Sequence, residues 1–208
     1  MPRAKVDLNE KWQRMTEYER KARQEGFAVI AGMDEVGRGP LAGPVVTCCL
    51  ILDPDKPVLG VDDSKKLSHK RRMELKAQIE ETALAIGIGV VDHTTIDRIN
   101  ILNATKMAMK MAVRNLKIVP DLVMIDAVHI DDLDLPQLSI IKGDAKSVSI
   151  AAASIVAKET RDRMMEEYDK LYPGYGFAQN KGYGTKEHME ALKKLGPCPI
   201  HRASFIHL

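Results

Sequence analysis

Two adjacent carboxylates stand at the start of a glycine-rich stretch. Asp34 and Glu35 follow an apolar, strand-like segment, and Gly37-Arg38-Gly39-Pro40 comes directly after Val36. Burying two neighbouring carboxylates costs several kcal/mol unless cations compensate their charge. The pair is therefore suited to holding a hard divalent cation through oxygen ligands, beside a loop that lets a backbone or a phosphate come close.

Two more acids follow later apolar segments. Asp126 comes directly after one short segment, and Asp144 comes three residues after another. If these strands neighbour the first one, all four acids meet at one edge of a sheet, where open α/β sheets place their ligands. Mutual repulsion would raise their pKa values, and two divalent cations would relieve it and activate a water for phosphodiester cleavage. Any one of these acids could be a solvated residue at a loop entrance, and the set leaves nucleases, phosphatases and phosphotransferases open.

Neither glycine-rich segment matches a nucleotide-binding loop. Residues 37–43 lack the G-x-G-x-x-G spacing, and Pro40 and Pro44 would break the helix that should follow. Residues 143–147 end like a Walker A motif, but Leu138 stands in place of its first glycine. The sequence therefore argues against NTP hydrolysis.

Three features favour a nucleic acid as the phosphate-bearing substrate. Gly37-Arg38-Gly39 offers backbone N–H groups and a guanidinium, which suit a sugar-phosphate backbone. Residues 62–67 and 69–72 concentrate cations. Five of the nine aromatic residues lie within sixteen positions that end at Tyr183, interleaved with lysine and glycine, a pattern that suits stacking on bases or sugars.

Each of these features also has a purely structural explanation. Arg38 could pair with a nearby acid, and the cations of 65–72 could lie on the solvated start of a helix. Tyr168 and Tyr172 have helical spacing, which favours the core, whereas Tyr183, flanked by two glycines, favours a binding role. A later basic helix face is most simply a solvated surface; it consists of Lys106, Lys110, Arg114 and Lys117.

The elements that position these residues are predicted to be a mixed sheet and its flanking helices. Strands are expected at 27–33, 43–52, 83–91, 122–125 and 138–141. Helices are expected at 8–25, 69–82, 101–117, 147–170 and 185–195, with a glycine- and aromatic-rich loop at 173–184. Because the strands first follow one another and then alternate with helices, we expect a mixed sheet covered by helices.

The composition is that of an ordinary globular protein. The 208 residues carry a net charge of +2, so a nucleic-acid surface would have to be local. No apolar run is long enough to cross a bilayer and the N-terminus lacks a signal-peptide pattern, which predicts a cytoplasmic protein. The three cysteines form neither a disulfide framework nor a zinc site, and we expect them to be reduced. The histidines also lack zinc spacing, although His188 and His201 could lie near a substrate.

Specific motifs run along the chain in a fixed order: 32–45 (GMDEVGRGPLAGPV), 63–67 (DSKKL), 125–127 (IDA), 142–144 (KGD), 147–158 (SVSIAAASIVAK), 182–185 (GYGT) and 201–205 (HRASF). From about Val29 to Phe205 the chain closely resembles bacterial ribonuclease HII, the type 2 ribonuclease H. The motifs are too long and too ordered for a chance match.

The resemblance implies a ribonuclease H-like α/β fold, with a five-stranded mixed sheet flanked by helices and a C-terminal helical part. We expect a catalytic domain over 27–208 and an N-terminal helical extension over 1–26. The implied activity is endonucleolytic hydrolysis of the RNA strand of RNA–DNA hybrids. Incision 5′ of single ribonucleotides in duplex DNA is also implied, leaving 3′-hydroxyl and 5′-phosphate ends. The implied cofactors are two Mg²⁺ or Mn²⁺ ions, and we expect a monomer that binds no membrane.

The resemblance also assigns roles to particular residues. Metal binding and catalysis fall to Asp34, Glu35, Asp126 and Asp144. Substrate contacts fall to six others: the 2′-hydroxyl sensor Gly37, Arg38 and Gly39, the phosphate contacts Ser64 and Lys65, and Tyr183, which stacks on the deoxyribose after the ribonucleotide.

Four alternatives stay open. Ribonuclease HIII carries an extra N-terminal substrate-binding domain and lacks the Gly-Arg-Gly form of the loop, whereas only about 26 residues precede the first predicted strand here. A junction resolvase of the same fold would need no ribonucleotide. A non-catalytic hybrid-binding module would need no acids at strand ends, and a small-molecule phosphatase would explain neither the aromatic loop nor the basic clusters.

Overall fold

The computed structural model describes residues 7–206, which form one five-stranded sheet with helices on both faces. The strands are β1 (Ile30–Val36), β2 (Val45–Ile51), β3 (Ala85–Val91), β4 (Leu122–Asp126) and β5 (Gln137–Ile140). Their order across the sheet is β3-β2-β1-β4-β5. β2 runs antiparallel to β1 and β3, whereas β4 runs parallel to β1 and β5. The predicted five-stranded mixed sheet is therefore confirmed.

The helices of the described residues are α1 (Leu8–Met15), α2 (Glu17–Gln24), α3 (His69–Thr82), α4 (His93–Ile99), α5 (Ile101–Arg114), α6 (Val148–Leu171), α7 (Phe177–Asn180) and α8 (Lys186–Leu195). Short 3-10 turns lie at Ser64–Lys66, Gly143–Ala145 and Ala203–Phe205. None of the helices in residues 7–206 has the length and apolar character needed to cross a bilayer.

The helices divide between the two faces of the sheet. On one face α6 and α3 pack with β2, burying side chains such as Leu50, Leu75 and Ile155. On the other face α5 packs Met109 against Met33 of β1. Helices cover both sides of β2 and of the centre of β1. Both faces of these strands are therefore buried, which explains their nearly unbroken hydrophobic sequence.

The C-terminal helical part has an apolar cluster of its own. Met165 of α6 packs with Phe177, Tyr175 and Leu192, all of which are buried. Tyr168 and Tyr172 are partly buried and pack against the same cluster, as their helical spacing predicts. All three cysteines are free, as expected, and Cys48 and Cys49 are buried on opposite faces of β2.

Three predictions about the elements near the N-terminus are wrong. The single helix expected over 8–25 breaks at Thr16, whose hydroxyl donates to the carbonyl of Gln13 over 2.9 Å. The first strand begins at Ile30 rather than 27, because the backbone N–H groups of Ala28 and Val29 donate to the carboxylate of Asp121. The same strand continues to Val36, so the two adjacent acids lie within it rather than just after it.

Other elements also differ from the prediction. The unpredicted helix α4 begins after Asp92, whose carboxylate accepts from the N–H of Thr95 over 2.8 Å. Helix α5 ends at Arg114, three residues earlier than expected. The loop predicted at 173–184 contains the short helix α7. β2 and β3 each begin two residues later than expected and β5 begins one residue earlier, while β4 begins as predicted and includes Asp126.

A buried carboxylate joins α2 to the start of α6. Glu19 is 3% exposed, and its Oε1 accepts from the hydroxyl of Ser147 over 2.6 Å and from the N–H of Ser149 over 3.0 Å. The Ser147 hydroxyl also accepts from the N–H of Ile150 and so caps α6. A negative charge is favourable at the N-terminus of a helix. The segment expected to be an extension is therefore hydrogen-bonded to the helix that follows Asp144. Residues 1–6 and 207–208 of the two predicted domains lie outside the described residues.

Candidate active site

The sheet brings the four predicted acids to one edge. β1 and β4 are parallel neighbours in which Met33 is paired with Ile125, so Asp34 and Asp126 follow side by side. Glu35 comes next on β1. Asp144 lies in the 3-10 turn after β5, and the preceding residue of that turn, Gly143, donates its N–H to Asp126 Oδ1 over 2.8 Å. This bond holds the turn against the end of β4.

Burial and repulsion raise the pKa values of the two adjacent acids. The pKa of Asp34 lies well above its usual range because the carboxyl is buried and because Glu35 and Asp126 are negatively charged. The pKa of Glu35 is raised mainly by burial and further by Asp126. The Arg38 guanidinium opposes that rise, since its Nη1 lies 3.3 Å from Glu35 Oε1. The expected pairing of Arg38 with a nearby acid is therefore present.

Asp144 has a similar environment with one additional acid. Burial raises its pKa first, and the charges of Asp63 and Asp126 raise it further, while Lys65 opposes them. Asp63 was not among the predicted site residues. No strand comes directly before Asp63 in the sequence, so only the fold shows that Asp63 lies beside Asp144.

The donor set fits a divalent cation better than it fits hydrogen bonding alone. Glu35 Oε2 is buried and has no hydrogen-bond partner in the described part of the chain. A nearby cation would satisfy this oxygen and lower the raised pKa values of the acids around it. Among residues 7–206, no three His, Cys, Asp or Glu side chains are grouped so that they could hold an ion as they stand. Coordination would therefore require the carboxylates to turn toward the metal.

A cavity of about 370 Å³ opens at this edge of the sheet. Its lining comprises Asp34, Glu35, Val36, Ser64, Lys65, Asp126, Ser154, Lys158 and Tyr183. Six of the ten residues predicted from the sequence thus share one cavity. Asp144 and the Gly-Arg-Gly loop adjoin it without forming part of its lining.

Two buried arginines hold the loop that follows β1. Arg202 donates from Nη2 to the Gly37 carbonyl over 2.6 Å and from Nη1 to the Arg38 carbonyl over 3.0 Å. Arg161 of α6 donates to the carbonyls of Ala42 and Pro44 over 3.1 and 2.9 Å. Burial lowers the pKa of Arg161 to about 10 and that of Arg202 to about 9. Sequence reasoning gave neither arginine a role, although Arg202 belongs to one of the motifs.

The same loop is closely packed at its first glycine and open at its last. Gly37 has a φ of +94°, and a Cβ there would collide with Arg161. A Cβ on Gly39 would meet only Tyr183 Cε1, at 3.7 Å. The aromatic ring of Tyr183 therefore lies beside the Gly-Arg-Gly loop, although Tyr183 comes 144 positions after Gly39 in the sequence.

The Asp-Ser-Lys segment forms another wall of the cavity. The hydroxyls of Ser64 and Ser154 are 2.9 Å apart. Arg72 of α3 donates to the carbonyls of Ser64 and Leu67 and also pairs with the buried Glu159 of α6. This arrangement fixes the backbone of the segment and leaves the Lys65 side chain exposed at the cavity.

Lys158 lines the cavity but was not among the residues predicted from the sequence. It lies one turn after Ser154 on α6, so the two residues share a helix face. That spacing within the 147–158 motif was a signal that could have found it. Its Nζ lies 2.7 Å from Asp162 Oδ1, and this ion pair holds the Lys158 ammonium group at the wall of the cavity.

The predicted basic helix face lies elsewhere. Lys106 pairs with Asp131, and Lys110 Nζ lies 3.7 Å from a carboxylate oxygen of Asp132. These acids offset much of the positive charge, which favours the solvated-surface interpretation. His188 and His201 are buried behind Tyr183 and are not part of the cavity lining.

The chain was compared with known protein families and with solved structures. The family model described as ribonuclease HII matches residues 31–208. The ribonuclease HII of Acetivibrio thermocellus is 61% identical over 188 residues, which are 90% of this chain and 73% of the relative. That of Enterococcus faecalis is 57% identical over 206 residues, covering 98% of this chain and 80% of the relative. That of Bacillus subtilis is 58% identical and covers 95% and 77%.

Solved structures show the same fold at lower identity. The ribonuclease H2 of Pyrococcus horikoshii aligns with a TM-score of 0.69 at 29% identity, covering 85% of this chain and 93% of that one. The RNase HII in a complex with PCNA from Archaeoglobus fulgidus gives a TM-score of 0.72 at 26% identity, covering 87% and 96%. Bst-RNase HIII in complex with Mn²⁺ gives 0.60 at 25% identity, covering 84% and 65%.

Proposed function

Since this chain belongs to the ribonuclease HII family and is an endoribonuclease acting on RNA–DNA hybrids, we propose that the carboxylate edge of its sheet is the catalytic centre. We further propose that it incises 5′ of single ribonucleotides in duplex DNA and leaves 3′-hydroxyl and 5′-phosphate ends. The observation that carries the proposal is the meeting of strand-end acids, the Gly-Arg-Gly loop and Tyr183 around one cavity.

The proposed metal ligands are the four acids of the edge, Asp34, Glu35, Asp126 and Asp144. When bound, two Mg²⁺ or Mn²⁺ ions would supply the positive charge that lowers the pKa of an attacking water and stabilises the leaving 3′-oxygen. Raised pKa values of three of the acids and the unpaired Glu35 Oε2 support this assignment. To coordinate the ions, these side chains would have to turn toward them. The hydrogen bond from the Gly143 N–H to Asp126 would keep the Gly143 turn in place.

The proposed sensor of the ribose 2′-hydroxyl is the Gly-Arg-Gly loop. The carbonyls of Gly37 and Arg38 accept from Arg202, so they face away from a ligand. The N–H groups of Arg38 and Gly39 have no acceptor within residues 7–206. Free backbone donors of this kind suit the 2′-hydroxyl, which is the group that distinguishes RNA from DNA.

The remaining substrate contacts are proposed for other residues that line the cavity. Ser64 and Lys65 would contact phosphate, and Tyr183 would stack on the deoxyribose that follows the ribonucleotide.

All the proposed contacts come from one chain, which suits a monomeric enzyme. We place that enzyme in the cytoplasm with its nucleic-acid substrate. We retain 27–208 as the catalytic domain and 1–26 as the helical extension on the basis of motif coverage.

Digestion of an end-labelled DNA duplex that contains a single ribonucleotide tests the proposed function. With Mg²⁺ or Mn²⁺ we expect one cut, immediately 5′ of the ribonucleotide, and with EDTA we expect none. An all-DNA duplex of the same sequence and a four-way junction serve as controls. Cleavage of either control would favour a junction resolvase, and binding without any cleavage would favour a hybrid-binding module.

Metal binding should also appear as a pH-dependent change in stability. Asp34, Glu35 and Asp144 have raised pKa values when folded, so the folded chain binds more protons than the unfolded chain does between about pH 4 and those raised values. Burial of their charges, together with the repulsion among them, therefore lowers the stability of the metal-free protein as the pH rises through that range. We expect Mn²⁺ to raise the melting temperature at pH 8 more than at pH 6.

The Asp34→Asn variant separates this effect from nonspecific binding of metal. Without metal at pH 8 it should melt at a higher temperature than the parent protein, because a buried charge that Glu35 also repels is gone, and Mn²⁺ should stabilise it less. Asp55→Asn, which changes an exposed acid in a loop, is the matched control and should respond as the parent does. Equal Mn²⁺ shifts in all three proteins, measured by thermal melting with EDTA as the reference, would contradict the metal assignment.

A further inference from the structure

Two buried histidines connect the C-terminal segment to the backbone of Tyr183. His188 of α8 and His201 are 0% and 5% exposed, and their Nε2 atoms are 3.0 Å apart. His188 Nδ1 lies 2.9 Å from the carbonyl oxygen of Tyr183. His201 Nδ1 lies 2.9 Å from the backbone nitrogen of Cys198. The three contacts form one continuous chain of hydrogen bonds.

Neutral rings admit one arrangement of protons along this chain. His201 Nδ1 lies 2.9 Å from the Cys198 nitrogen and 3.2 Å from the Cys198 carbonyl oxygen, so this end of the chain alone does not fix the proton. The Tyr183 carbonyl can only accept, so His188 Nδ1 carries the His188 proton and donates it there. His188 Nε2 must then accept from His201 Nε2, which leaves His201 Nδ1 to accept from the Cys198 N–H. The direction of the chain is therefore set by the Tyr183 carbonyl.

The surroundings keep both rings neutral. Tyr175 and Phe177 pack around them, with ring centroids 5.0 Å from His201 and 5.4 Å from His188 respectively. Burial lowers the pKa of His188, and it lowers that of His201 to about 4. At neutral pH the pair therefore has the proton arrangement that donates to Tyr183.

The residue that receives this bond has little other restraint on its side chain. The Tyr183 side chain is 43% exposed, and the residue is flanked by Gly182, which has a φ of +84°, and by Gly184. Its carbonyl also accepts from the Thr185 N–H over 2.8 Å, and its own N–H donates to the Asn180 carbonyl. Because the flanking glycines permit many conformations, the backbone anchors decide where the ring points.

We propose that His188 and His201 are positioning residues that hold Tyr183 for stacking, and that they set the preference for a ribonucleotide followed by deoxyribose over a continuous RNA strand. The inference rests on the stacking role proposed for Tyr183. Neither histidine touches the substrate. Both act through the Tyr183 carbonyl, whose position determines the approach of the ring to the sugar.

The test is the ratio of single-turnover cleavage rates on two substrates: a duplex with one ribonucleotide followed by DNA, and an all-RNA strand paired with DNA. His188→Leu removes the donor at similar volume and should lower this ratio about tenfold, since small misplacements of a positioning group are costly. His188→Asn retains an N–H near the position of Nδ1 and should keep the ratio within about twofold of the parent protein. His129→Leu, at an exposed loop position, is the matched control and should not change it.

A double-mutant cycle with Tyr183→Ala separates positioning from general destabilisation. If His188 acts through Tyr183, then His188→Leu should lower the ratio no further once Tyr183 is alanine. An unchanged ratio in His188→Leu, or equal and additive losses on both substrates, would overturn the proposal. If His188→Leu does not fold, His201→Leu breaks the same chain and is judged by the same ratio. A Tyr183→Ala variant with an unchanged ratio would instead refute the stacking role itself.

Discussion

Replacing Asp34 by asparagine should nearly abolish cleavage of an RNA–DNA hybrid while the hybrid still binds. The substitution keeps the shape of the side chain, and the amide oxygen can still accept the bond that the Glu35 N–H makes to Asp34 Oδ1 over 2.8 Å. It removes a charge at the centre of the proposed metal site. Because metal-assisted charge stabilisation contributes several kcal/mol to such reactions, we expect the rate to fall about 10³-fold, equivalent to ~4 kcal/mol.

Single-turnover cleavage and gel-shift binding of the same labelled hybrid measure the two halves of this expectation. The exposed-loop variant Asp55→Asn should cleave and bind like the parent protein. Near-normal turnover of Asp34→Asn would remove Asp34 from the catalytic assignment. A loss of affinity as large as the loss of rate would make it a binding residue instead.

Replacing Gly32 by alanine should cause a large loss of folding stability. A Cβ at this position would overlap the backbone of Ser149 at the start of α6, and neither backbone can rotate away. The strand β1 and the helix α6 would have to separate, and Asp34 lies two residues further along the same strand. Overpacking of this kind costs about 3 kcal/mol, which is a large part of the stability of a typical domain.

Urea unfolding gives the free energy of unfolding for this comparison. Gly39→Ala is the control, because its Cβ would meet only Tyr183 Cε1 at 3.7 Å, and its expected change is within about 0.5 kcal/mol. A similar loss in both variants would mean that the close contact between β1 and α6 is not what limits residue size at position 32.

Much of the carboxylate edge was predictable because its chemistry lies in residue types and their order. An acid directly after an apolar segment, as at Asp126, marks the end of a buried strand. Neighbouring parallel strands then bring such acids together, as β1 and β4 do. Strand boundaries were less predictable. The start of β1 depends on Asp121, a residue more than ninety positions away that binds the backbone before Ile30.

The supporting residues were hidden for a different physical reason. Arg161 and Arg202 donate to backbone carbonyls. Because every residue carries a carbonyl, no particular residue type in the sequence marks the partners of these arginines. His188 and His201 are thirteen positions apart, with neither metal spacing nor a shared element, so their pairing could not be predicted even though a place near the substrate was considered for both. Lys158 had a signal in the sequence, since it shares a helix face with Ser154.

The Glu19 carboxylate has a consequence for how this chain can be shortened. Cutting it back to the first strand would leave the Ser147 hydroxyl and the Ser149 amide without their shared acceptor inside the protein. The N-terminal end of α6 would then be free to fray, and Asp144 lies only three residues before its cap Ser147. An enzyme shortened to its recognisable motifs would keep all four proposed metal ligands but lose a hydrogen bond that supports the position of Asp144.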